Sequence, residues 1–181
     1  EAGLLGSAYY VDHPVVPLAA TVAALNMDTL HLGGPRRDVS VVGWQASELQ
    51  DALDVAARRQ GRMLVPEPTP QDGMYFRSDH FNFAKAGVPG LYFKLGIDDR
   101  ERGAAWGQAQ RDEYYARRYH KSADRYLPGT DLRGGLEDLQ LMYAVGDSLA
   151  NSRTSPRWSP ESEFRGTRER GLAEARESAR R

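Results

Sequence analysis

Short apolar runs alternate with helical patterns along this chain, and that alternation limits the folds open to it. Val39 to Trp44 and Gly90 to Leu95 have the length and the β-branched and aromatic content of buried strands. Residues 46–60 place Leu49, Leu53 and Ala56 or Ala57 at helical spacing, with Gly61 following as a C-cap. Ala19 to Met27 is a third apolar run, read as a strand that ends in Asp28. This order predicts an α/β fold, a largely parallel (mixed) sheet with helices on both faces. The active site of such a fold lies beyond the carboxyl ends of its strands.

The remaining segments are read from punctuation and periodicity. Ser7 is placed to cap a short helix through Tyr9 and Tyr10, which His13-Pro14 stops. Residues 65–73 hold three prolines and predict an irregular loop delivering Tyr75 and Ser78-Asp79-His80. A short helix over 81–86 closes at Gly87, and the polar stretch 98–118 reads as a surface excursion. Residues 131–150 predict a long helix with Leu132, Leu136, Leu139, Tyr143, Val145 and Leu149 on its apolar face. From about Asn151 the composition changes, and residues 161–181 carry six arginines and five glutamates. Pairs such as Glu161/Arg165 and Glu177/Arg181 fall at i,i+4. Residues 154–181 are thus expected to be a charged tail or helix after a globular unit spanning 1–153.

Composition excludes several classes of function. A net charge of −1 supplies no basic field for nucleic acid. No apolar run reaches the roughly 20 residues that span a bilayer. With no cysteine in the chain, a metal would have to be held by His, Asp or Glu. The sequence begins at Glu1, without methionine, and enters a dense motif at once, so it reads as a piece of a longer chain.

Taken singly, Glu1, Asp28 and His120 have ordinary explanations: a carboxylate at a helix start, a turn former after a strand, a surface histidine. Their joint order is more informative. Glu1-Ala-Gly-Leu-Leu-Gly-Ser7, then Asn26-Met27-Asp28, then Tyr75-Phe-Arg-Ser78-Asp79-His80 with Phe83 and Ala86-Gly87-Val88-Pro89, then Tyr119-His120-Lys-Ser-Ala-Asp124 occur in sequence. Over about residues 1–150 the chain resembles the zinc aminopeptidase family that includes bacterial leucyl aminopeptidases. Glutamate carboxypeptidase and glutaminyl cyclase are among its broader relatives. The resemblance implies a three-layer zinc-exopeptidase fold, here its C-terminal portion and incomplete at the N-terminus, with an apolar edge or face left uncovered.

The resemblance also implies roles. Glu1 and His120 would serve one zinc and Asp28 a second, with the general base, a bridging aspartate and another histidine lying upstream. Carboxylate oxygen and imidazole nitrogen suit zinc, and two zinc ions about 3.5–4 Å apart polarise a scissile carbonyl and acidify a bridging water. Tyr75 aligns with a tyrosine that in some members donates to the oxyanion, a packed aromatic being the other reading. Asp124, one turn after His120, is placed to orient its imidazole. Ser78, Asp79 and His80 would shape the pocket. His80 is not a ligand in the family, and neighbours in extended chain point to opposite faces. Lys121 and Ser122 depart from the family's usual threonine, which puts details on the substrate side in doubt. His13 and His31 have no motif around them and are read as surface residues.

The expected activity is aminopeptidase-type hydrolysis of peptides in the full-length protein, in a periplasmic or secreted setting, with the piece alone inactive. Two alternatives stay open: a glutaminyl-cyclase-like single-zinc acyltransferase, and a receptor-like binding module that lost the metal.

Overall fold

The computed structural model describes residues 3–30 and 33–181. Among them four strands form one mixed sheet in the order β1-β4-β2-β3. These are β1 (Ala24–Asn26), β2 (Asp38–Val42), β3 (Met63–Pro66) and β4 (Gly90–Leu95). β1 runs parallel to β4 and β2 parallel to β3, while β2 and β4 are antiparallel. Helices lie on both faces, giving the three-layer α/β/α arrangement expected of the sequence.

The period-2 alternation of the inner strands decides which helices go where. Val39 and Val41 of β2 and Leu91 and Phe93 of β4 turn to one face. There they join Leu49, Leu53, Ala56 and Ala57 of α2 (Leu49–Arg59) in a single buried cluster. Leu141, Met142 and Val145 of α5 (Arg133–Ala150) complete it. The opposite face carries Tyr92 and Lys94. It is covered by α3 (His80–Lys85), whose His80 packs on Tyr92, and by α4 (Gly103–Arg117), whose Tyr115 meets Lys94. Helix α2 ends as predicted. Gly61 takes φ +67°, its N–H bonds the Arg58 carbonyl, and the Arg62 N–H reaches back to Ala57, a Schellman motif.

Several expectations need correction. The run 19–27 yields only the three-residue β1, because the Pro17 carbonyl accepts the Ala20 and Thr21 N–H groups and holds the preceding residues in a turn. The loop expected over 65–73 begins inside β3. That edge strand accommodates Pro66, since an edge has a side on which a missing N–H costs nothing. Ser7 does not cap α1 (Leu5–Asp12); it lies inside it, with Leu4 as the left-handed N-cap. The polar stretch 98–118 is mostly helix. Asp99 accepts the Glu101 and Arg102 N–H groups ahead of α4 and pairs with buried Arg36. Trp106 sits under both Arg36 and Arg102, and Gly107 lies flush on the Ile97 carbonyl, where a Cβ would stand 1.9 Å from the oxygen.

Helix α5 presents a different face from the one read off its leucines. Leu132, Leu136, Leu139 and Tyr143 are exposed, whereas Asp138, Leu141, Met142 and Val145 are buried, with Leu149 packed at the cluster's margin. Two contacts set this rotation: Asp138 pairs with Arg62 at 2.7 Å, both out of solvent, and Gly134 abuts the Gly33 and Gly34 carbonyls. Removing one partner of a buried ion pair is costly, which makes the pair an effective clamp. Burial nonetheless raises the Asp138 carboxyl pKa against the lowering influence of Arg62.

The charged C-terminal segment is docked, not frayed. Trp158 is buried and donates to the Gly87 carbonyl, and Arg157 forks onto Glu48. Helix α6 (Arg165–Ser178) reaches back through Arg168 to the Leu18 and Thr21 carbonyls. Arg165 pairs with Glu169 and not with Glu161, because the helix starts at Arg165 and leaves Glu161 outside it.

The rotation of α5 can be tested directly. Leu141→Ala should lower the unfolding free energy by about 2–5 kcal/mol, whereas Leu136→Ala should change it by no more than about 0.5 kcal/mol. Urea denaturation of the two variants separates the observed face from the one the leucine spacing suggests.

Candidate active site

The site gathers where β1 ends on the face covered by α3 and α4. Past Asn26 the chain leaves the sheet, and Asp28 stands exposed at the tip. Its carboxylate is held from both sides: Oδ2 accepts the Ser78 hydroxyl at 2.7 Å, and Oδ1 accepts the Thr29 hydroxyl at 3.0 Å. Ser78 is buried, and its Oγ in turn accepts the Asn26 side-chain amide at 2.7 Å. Asn26, Ser78 and Asp28 thus form a directed chain that leaves the outer lone pairs of an oriented carboxylate open. Two of its members come from the β1 tip and the third from a loop 50 residues later.

Ser78 owes its position to the turns before it. The single 3₁₀ turns Pro70–Asp72 and Met74–Arg77 carry the chain back over the sheet, and Tyr75 seats its ring against Gly43. A Cβ at Gly43 would lie 2.5 Å from that ring, and its φ of +74° also calls for glycine. Asp79 precedes α3 with helical backbone angles, so the chain here is not extended, yet the two side chains still diverge. Asp79 accepts the Ser7 hydroxyl, and the Asn82 amide donates to Ser7 at 2.8 Å, which ties α1 to α3. His80 turns inward instead.

His80 is 1% exposed, edge-on to Tyr75 at 4.8 Å and tilted against Tyr92 at 5.1 Å. Among the described residues, neither of its ring nitrogens nor the buried Tyr75 hydroxyl has a protein hydrogen-bond partner. Burial pushes the His80 pKa down to about 4, although Asp28 and Asp79 pull the other way. Burial also raises the Tyr75 phenol well above its ordinary value, helped by the charge of Glu163, so it remains a proton donor. Tyr92 is raised by burial first and by the charge of Asp28 second.

His120 follows α4 at a left-handed φ of +58°, exposed, with its ring stacked on Tyr119 at 3.9 Å. Tyr119 packs on Tyr115 at 5.1 Å, and Tyr115 accepts from Lys94, so this segment joins the same face of the sheet. Asp124 accepts the Tyr114 hydroxyl at 2.9 Å. Glu1 lies outside the described residues, as does His31, while His13 is exposed and stacked on Tyr9. Among the described residues no three His, Asp or Glu side chains come together as a metal-holding group. The donor types nevertheless suit zinc, and Asp28 is already oriented with its outer face open.

The motif residues did not reveal Tyr92, Lys94 and Tyr115. The signal that could have found the first two is a tyrosine and a lysine at i,i+2 within a strand otherwise read as buried, which puts both on one face. Tyr115 gave no such signal, because its helix was read as a polar excursion.

The fold is a three-layer α/β/α sandwich with an oriented carboxylate at a strand tip. The family model described as Peptidase family M28 matches residues 1–131, and the chain belongs to that family. No curated protein matches the chain, and no solved structure does. Among the described residues no helix is long and apolar enough to cross a membrane.

Two measurements check this geometry. An NMR titration should place the His80 pKa near 4. Between the ordinary histidine value of 6.5 and about 4, the unfolded chain takes up a proton that the folded one refuses. Stability should therefore fall as pH drops through that window, with this group contributing no pH dependence above it. Ser78→Ala leaves the Asn26 amide without its acceptor and should cost about 1–3 kcal/mol of stability in urea unfolding.

Proposed function

We propose that the chain carries part of the active site of a zinc-dependent exopeptidase of the aminopeptidase type. The observation that carries this reading is the Asn26–Ser78–Asp28 chain, because a carboxylate fixed by a buried hydroxyl at an open strand tip is poised to ligate. Asp28 and His120 are the described residues that would hold metal, joined by Glu1. Zinc, when bound, supplies a Lewis acid for the scissile carbonyl and an acidified water.

The chain's own groups have separate tasks. Ser78 sets the direction of the Asp28 lone pairs. Tyr75, kept protonated by burial, donates its hydroxyl, which has no partner among the described residues, to charge developing on the carbonyl oxygen. Neutral His80 walls the pocket with a ring that takes no proton near pH 7. Asp124, through Tyr114, steadies the aromatic cluster of Tyr114, Tyr115 and Tyr119 on which His120 stacks. Residues 1–153 belong to the peptidase domain in this reading, with 154–181 as an appended segment, and the substrate is a peptide.

The test is hydrolysis of aminoacyl anilides by the intact protein. A chelator should abolish activity and added zinc restore it, and Asp28→Ala should lose about 100-fold or more. Activity indifferent to chelation would refute the reading. Tyr75→Phe sharpens it: kcat should fall by about 100-fold with little change in KM, while stability stays level or rises, because the deleted hydroxyl has no partner to lose.

A further inference from the structure

Lys94 is the one cation on the site face of β4. The parallel register pairs Asn26 with Tyr92, and two residues on along each chain stand Asp28 and Lys94. The charge of Asp28 reaches Lys94, in keeping with a shared level on the rim. The lysine is half-buried, with its ammonium over the ring of Tyr92 at 5.5 Å and that of Tyr115 at 5.8 Å. Nζ donates to the Tyr115 hydroxyl at 3.2 Å, which engages one of its three N–H groups.

The protein treats its other buried cations differently. Arg36 is paired with Asp99 and Arg62 with Asp138. Among the described residues, no carboxylate lies within ion-pair distance of Lys94. The positive charges of Arg77 and Arg111 also bear on it, against those of Asp28 and Glu67, and neither arginine pairs with a described carboxylate. Burial lowers the Lys94 pKa to about 8, which leaves it mostly protonated near pH 7. A half-buried ammonium that gives one N–H to Tyr115, in the field of two further cations, is the complement of an incoming anion.

We propose that Lys94, with Tyr115 as its brace and Arg77 and Arg111 at the rim, anchors a carboxylate of the peptide substrate next to Asp28. This rests on the exopeptidase reading for where the peptide lies, and it narrows the substrate class to short peptides with a free C-terminal carboxylate or to peptides bearing an acidic side chain. A carboxylate in this place replaces lost water with a charge-assisted hydrogen bond and fixes the peptide relative to the candidate metal carboxylate. Neither source of the carboxylate requires a covalent step.

Binding tests this apart from catalysis. Isothermal titration would compare alanyl-leucine, its C-terminal amide and the C-terminal amide of alanyl-glutamate, which bears only the side-chain carboxylate, on the protein and on Lys94→Met and Lys94→Arg. At least one carboxylate peptide should bind about tenfold or more tighter than the neutral amide, and which one does so identifies the source. Lys94→Met should erase the difference and Lys94→Arg keep most of it. Equal binding of all three peptides to the unmodified protein, binding of none, or a difference that survives Lys94→Met would overturn the proposal. If Lys94→Met does not fold, as circular dichroism would reveal, the comparison on the unmodified protein decides. An acid preference in a protein whose hydrolysis ignores chelators would sink the exopeptidase reading alone. Chelator-sensitive hydrolysis with no acid preference would sink only the anchor.

Discussion

Strand β4 divides the molecule into a part that is stable and a part that can act. Paired on both sides, it sends Leu91 and Phe93 into the cluster beneath α2 and α5, and Tyr92 and Lys94 into the layer beneath α3 and α4. A pleated strand cannot mix these roles, because a slip of one residue would put the lysine in the core and the phenylalanine at the rim. The buried Arg62–Asp138 pair and the close approach of Gly134 lock α5 over the apolar side. On the other side, among the described residues, the Tyr75 hydroxyl and both ring nitrogens of His80 go without protein partners.

Such groups are expensive to bury, since each gives up hydration without a compensating bond. Those of Tyr75 and His80 stand near an oriented carboxylate and an ammonium without a described counter-charge, the arrangement expected where stability has been traded for binding. The Asn26–Ser78–Asp28 chain supplies the precision. It joins residues 50 apart in sequence through a hydroxyl that water does not reach, so the carboxylate direction is set by the fold rather than by solvent.

Much of this was legible in the sequence, for physical reasons that differ by residue. Leu49, Leu53, Ala56 and Ala57 were visible because a helix buries one stripe, and Gly61 and Gly87 because left-handed backbone favours glycine. The motif residues Asp28 and Ser78 were visible as local patterns, although nothing local told that one would hold the other. Helix α4 was hidden because its burial is carried by Trp106 between two arginines and by Gly107, not by an apolar stripe. The face of α5 was misjudged because its leucines form two stripes, and the choice between them is made by Asp138, a residue that periodicity counts as polar. Lys94 is hidden because Gly90 to Leu95 reads as an apolar run, and one charge within it leaves that pattern unchanged.

The central claim is that Asp28, held by Ser78, is a metal-holding carboxylate with His120 as a companion. Crystals of the intact protein grown with zinc, and data collected at the zinc absorption edge, test it most directly. Two anomalous peaks about 3.5–4 Å apart are expected, one in contact with the Asp28 carboxylate and the other with the His120 imidazole, with the Ser78 hydroxyl still bonded to Asp28. A fully occupied zinc peak elsewhere, or none at Asp28 in zinc-saturated crystals, would contradict it.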